Sequence, residues 1–100
     1  MNSKIKSKET DLLFNAILQL KNEDECYQFF EDLCTVNELK AMSQRLVVAK
    51  MLSDGRVYSD IVEATGASTA TISRVKRSLE YGCDSYSMVF DRMTEEQKKL

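Results

Sequence analysis

Apolar positions along this chain recur at three- and four-residue spacings, and nowhere do they alternate with period two over a useful length. Residues 1–7 are polar and are expected to fray. Residues 8–20 read as a first helix, with Leu12, Leu13, Phe14, Ala16, Ile17, Leu18 and Leu20 around nearly the whole cylinder. A helix apolar on most sides needs cover on most sides, and a domain of this size supplies that cover poorly, so packing against a second copy is expected. Asn22 caps a second helix, with Glu25 as the partner in a capping box and Cys26, Phe29, Phe30 and Leu33 as its stripe. Thr35 and Glu38 repeat the signature at the head of a long third helix. Its apolar positions are Leu39, Met42, Leu46, Ala49 and Leu52, and Asp54-Gly55 ends it.

The segment 58–81 has the organisation of a helix-turn-helix. A short helix at about 59–65 is followed by Gly66-Ala67-Ser68 and a helix at about 69–81, which Gly82 stops. Gly66 falls where the turn needs a positive backbone torsion. Ile61 and Val62 on the first helix, and Ile72, Val75 and Leu79 on the second, are read as inward-facing. A further short helix capped by Asp84 or Ser85 carries Tyr86, Val89, Phe90 and Met93, and Thr94 with Glu96 and Gln97 starts a last turn. The expected fold is all-α, with about six helices forming one domain over residues 1–100.

What the second helix of this pair leaves outside is small, hydroxylated or basic: Ser68, Thr69, Ala70, Thr71, Ser73, Lys76 and Arg77. A helix entering the major groove of DNA needs short side chains at its leading end so that its backbone can approach the bases. Hydroxyls then reach base edges or phosphates, and flanking cations neutralise phosphates. Thr69, Ala70 and Ser73 are therefore assigned to base edges, and Lys76 and Arg77 to phosphate. The plainer alternative is that Ser68 and Thr69 are ordinary N-caps and the cations a solvated face. Turn, apolar spacing, small residues and basic flank together favour DNA binding.

Charge sharpens this picture. The net charge is −2, yet residues 22–38 carry six acids and no base, while residues 68–79 carry three bases and no acid. That distribution suits one anion-facing surface. It also leaves open a protein-interaction module that keeps a helix-turn-helix as scaffold, with the acidic stretch as its docking face. An enzyme is disfavoured: the chain has no His, no Gly-rich phosphate loop and no zinc spacing, so no catalytic residue is assigned. Cys26, Cys34 and Cys83 are odd in number and lack metal-ligand spacing, and are read as buried or half-buried reduced thiols with no metal bound. No signal-peptide or membrane-spanning run is present, so a soluble cytoplasmic protein is expected.

Thr35-Val-Asn-Glu-Leu, Ser43-Gln-Arg-Leu-Val-Val-Ala-Lys-Met-Leu and Thr65-Gly-Ala-Ser-Thr-Ala-Thr-Ile-Ser-Arg resemble segments of the bacterial tryptophan repressor family, in particular its Trp-repressor-like branch of the YerC/YecD type. The resemblance runs from about Leu33 to Leu79. It implies an intertwined all-helical homodimer that presents two recognition helices to successive major grooves of a roughly palindromic site. It also implies a ligand niche at Thr35, Arg45, Thr71, Arg74 and Ser78, with the two arginines flanking a small planar effector. Ion pairing of these arginines with acids such as Glu38 and Glu63 is the alternative role. One departure bears on the effector: Val75 stands where the repressor has glycine, and its side chain intrudes on the space of the indole. The expectation is thus no tryptophan corepressor, and either another small ligand or none.

Overall fold

A computed structural model of the chain describes residues 4–100, which form two compact units, one ending at Val36 and the other running from Asn37 to Leu100. Among the described residues there are six α-helices and no strand. The all-α expectation is met.

The N-terminal unit holds α1 (Lys8–Ile17) and α2 (Glu23–Leu33). Residues 1–3 of the segment expected to fray lie outside the described residues. Its last residue, Ser7, is the N-cap of α1: its Oγ accepts from the Thr10 amide at 3.0 Å, and Lys6 pairs with Asp11. α1 ends three residues before the expected Leu20. Gln19 and Leu20 donate to the carbonyls of Ala16 and Ile17, so the chain leaves the helix through a tighter turn in time for the next cap. That cap is Asn22, whose Oδ1 accepts from the Glu25 amide at 2.9 Å. The Glu25 carboxylate in return accepts from the amide of Lys21 rather than that of Asn22. No residue of α1 or α2 is buried. Leu12 is 70 % exposed and Leu18 77 %, as a helix apolar all round demands when its own chain cannot cover it.

α3 (Val36–Ser53) begins directly after Thr35 and carries the chain into the C-terminal unit. It closes in a Schellman motif: Arg56 donates to the Met51 carbonyl and Gly55 to that of Leu52, with Gly55 at φ +81°. α4 (Tyr58–Thr65), α5 (Thr69–Tyr81) and α6 (Ser85–Arg92) follow. Their core consists of Val48 and Ala49 from α3, Ile61 from α4, Ala67 from the turn, Ile72 and Val75 from α5, and Phe90 from α6. Leu52, Tyr58, Leu79, Tyr86 and Met93 pack around it. The final turn forms as a reciprocal cap, with Gln97 N–H on the Thr94 hydroxyl and Thr94 N–H on the Gln97 amide oxygen.

Three expectations of burial are corrected. Val62 is exposed, because α4 turns only its Ile61 side to the core. Met42 and Leu46 are also exposed, and α3 buries Val48 with Ala49, so its buried side is rotated away from the expected stripe. Cys83 is exposed just past the end of α5, while Cys26 and Cys34 are half-buried as expected.

Candidate nucleic-acid interface

The turn between α4 and α5 is built from three residues with separate tasks. Gly66 takes φ +70°, ψ +7° and donates to the Val62 carbonyl, closing α4 in the left-handed conformation that costs a side chain strain. The Thr65 hydroxyl donates to the Ile61 carbonyl at 2.7 Å and accepts from the amide of Ala67 at 3.1 Å. Ala67 is buried, so this bond satisfies an amide that water does not reach. Gln44, on α3, donates from Nε2 to the Thr65 carbonyl at 3.1 Å and ties the turn to the long helix. Neither Thr65 nor Gln44 stood out in the sequence as part of the device. A Thr two residues before a buried turn amide was the available signal for the first. The second spans 21 positions and leaves no local signature.

Ser68 then caps α5. Its Oγ accepts from the Thr71 amide at 3.1 Å and donates to the Thr71 hydroxyl at 3.1 Å. Two of the residues assigned to DNA therefore spend their hydroxyls on the helix start, and Thr71 is half-buried. Ser68 acts as the N-cap of the plainer alternative, while remaining exposed at the tip. Thr69, Ala70, Ser73, Lys76 and Arg77 are all exposed along α5. No acid lies in its first turn, so the helix end keeps its positive potential. Ile72 and Val75 face the core on the opposite side and fix α5 against α4.

The electrostatics of the outer face are uneven in a useful way. Ser73, Arg74, Lys76, Arg77, Glu80 and Tyr81 line a shallow open depression. Lys76 Nζ lies 4.0 Å from the Glu80 carboxylate and 5.8 Å from the centre of the Tyr58 ring. Among the described residues, the guanidinium groups of Arg74 and Arg77 take no ion pair.

The niche residues are placed as follows. Thr71, Arg74 and Ser78 recur at spacings of three and four along α5, hence on one side of it. Ser78 Oγ donates back to the Arg74 carbonyl at 3.3 Å. Arg45 is exposed on α3 and, among the described residues, makes no hydrogen bond or ion pair with α5. Neither it nor Arg74 pairs with Glu63. Thr35 is the residue before α3, in the N-terminal unit. Val75 is 2 % exposed and belongs to the core. Among the described residues no His/Cys/Asp/Glu group could hold a metal ion, and no helix is long and apolar enough to cross a membrane.

Residues 8–94 match the family model described as Trp repressor protein. The chain is 59 % identical over 92 residues to YerC of Bacillus subtilis (strain 168), itself uncharacterized. The match covers 92 % of this chain and 88 % of YerC. Two crystal structures are similar. A candidate Trp repressor from Staphylococcus aureus is 60 % identical, with a TM-score of 0.86 over 90 % of each chain. A TrpR-like protein from Eubacterium eligens ATCC 27750 is 60 % identical, with a TM-score of 0.87 over 91 % of this chain and 94 % of that one.

Proposed function

The chain belongs to the Trp repressor family, a family of regulators, and from that premise we propose that it is a sequence-specific double-stranded DNA-binding transcriptional regulator of the repressor type. It acts in the cytoplasm as a homodimer on a roughly palindromic site. The observation that carries this reading is the outer face of α5, where small residues at the leading end give way to Lys76 and the unpaired Arg77 while Ile72 and Val75 hold the helix from behind. Thr69, Ala70 and Ser73 approach base edges, Lys76 and Arg77 contact phosphate, and the helix start with its Ser68 cap sits against the DNA backbone. Support for the homodimer comes from the N-terminal unit, whose helices carry large apolar side chains and bury none of them. A second copy offers the same surface to itself, and two-fold symmetry of the protein then calls for two-fold symmetry in the operator.

Control by tryptophan is not part of the reading. Val75 packs in the core beside the Thr71–Arg74–Ser78 stripe, and the volume of its side chain is unavailable to an indole. Any effector at that stripe is a different small molecule.

The test is selection of bound duplexes from random DNA by the purified protein. Enrichment of an inverted repeat with half-sites about one helical turn apart is expected. Recovery of no enriched sequence, with retention that ignores salt, would count against DNA binding altogether.

A further inference from the structure

Glu80 is the one acid of α5, and it lies in the same depression as Ser73, Lys76 and Arg77, on the face assigned to DNA. Its carboxylate stands 4.0 Å from Lys76 Nζ, and the Tyr58 ring flanks the same ammonium at 5.8 Å. Both partners of the ion pair are about half exposed. An exposed pair this loose contributes little to the fold, so the acid has no evident structural task. We propose that Glu80 is a built-in competitor of phosphate: it occupies Lys76 in the free protein and lowers affinity for every duplex, whatever its sequence. The inference rests on the DNA-binding reading above and adds a residue that sets its strength.

The physical case has three parts. A phosphate that approaches the Lys76 ammonium competes with the Glu80 carboxylate 4.0 Å from it. Once the phosphate is bound, Glu80 is left facing the negatively charged backbone. Glu80 also lies eleven residues along α5 from Thr69, roughly 16 Å at the helical rise. That is beyond the leading turns that carry Thr69, Ala70 and Ser73, so its effect falls on the sugar-phosphate backbone and not on base edges. Salt dependence carries the signature. Non-specific binding strengthens as cations on the protein replace counterions on DNA, each phosphate contact adding about one unit of slope. Arg77, with no internal partner, contributes its full share. Lys76, its charge partly offset by Glu80, contributes less.

The experiment measures anisotropy of labelled selected and random duplexes of equal length, titrated with wild type, Glu80→Gln and Glu95→Gln across about 50–200 mM salt. Glu95 is an exposed acid paired with Lys98 outside the depression, so its variant matches the charge change. Glu80→Gln is expected to bind both duplexes more tightly by a similar factor, roughly three- to tenfold at the low-salt end, with a slope steeper by up to about one unit. Glu95→Gln is expected to change far less. The proposal is overturned if Glu80→Gln binds no more tightly than wild type, or if Glu95→Gln matches it, since net charge alone would then explain the gain. A gain confined to the selected duplex overturns it too, because Glu80 would then be reading sequence. Wild type that retains neither duplex would overturn the DNA-binding reading, and this inference with it, a result distinct from the other three.

Discussion

Replacing Thr65 by Val removes one oxygen from the turn and leaves the shape of the side chain nearly intact. The hydroxyl is the acceptor for the amide of Ala67 at 3.1 Å, and Ala67 is 2 % exposed. With the oxygen gone that amide has neither a protein partner nor ready access to water. An orphaned buried donor costs about 1–3 kcal/mol. The Gln44 bond uses the Thr65 carbonyl and survives the change, so the loss is confined to the hydroxyl, and about 2 kcal/mol is the expected destabilisation. In a domain of this size that corresponds to roughly 10 °C in Tm. The assay is urea unfolding of wild type, Thr65→Val and Thr65→Ser at one fixed protein concentration, because association of copies would shift apparent stability. Thr65→Ser restores the oxygen and should recover most of the loss. The reasoning fails if Thr65→Val stays within about 0.5 kcal/mol of wild type, or if the Ser variant is as damaged as the Val variant.

Arg77→Ala should weaken binding to all duplexes alike and flatten the salt slope by about one unit in an anisotropy titration; a loss at one base position only would contradict its assignment to phosphate. Calorimetric titration with L-tryptophan should give no saturating heat, whereas a one-per-subunit isotherm would show that the Val75 side chain does not close the niche. The two glycines flanking α5 should rank opposite to their torsions. At Gly66 an added Cβ meets nothing within 4 Å, so Ala there pays only for φ +70°, about 1–2 kcal/mol. At Gly82 the added Cβ would lie 2.3 Å from the Ser78 carbonyl oxygen, and the backbone must move, for about 2 kcal/mol or more. Equal urea midpoints for Gly66→Ala and Gly82→Ala would refute that ranking.

The helix-turn-helix was legible because its signals are local. Gly66, the Ser68 cap and the Ile72/Val75 spacing each act within a few residues, and the elements they predict lie within a residue of those observed. Burial was less legible. Periodicity marks an apolar face, but which side of a helix is covered depends on what packs there, so α3 buries Val48 and leaves Met42 and Leu46 exposed, and Val62 lies outside. The end of α1 was misplaced because apolar residues continue through Leu18 and Leu20, while the cap of α2 requires the chain to leave the helix first. Bonds such as Gln44 to Thr65 are set by tertiary geometry and have no pattern along the chain. Of the surface residues, Lys76 and Arg77 could be named by charge. Glu80 stands four residues after Lys76, a helical pairing distance that the sequence shows, and its place in the depression comes from the structure.

The uncovered apolar side chains of α1 and α2 have a consequence for how the protein is counted in a cell. With a second copy as their cover, formation of the dimer is second order in chain concentration. Halving the number of chains would then more than halve the number of complete DNA-binding particles. A repressor built this way releases its operator sharply as it is diluted, for instance by growth and division, before any effector is involved. Its sensitivity to dose would be written in Leu12 and Leu18, far along the chain from α5, the helix proposed to meet DNA.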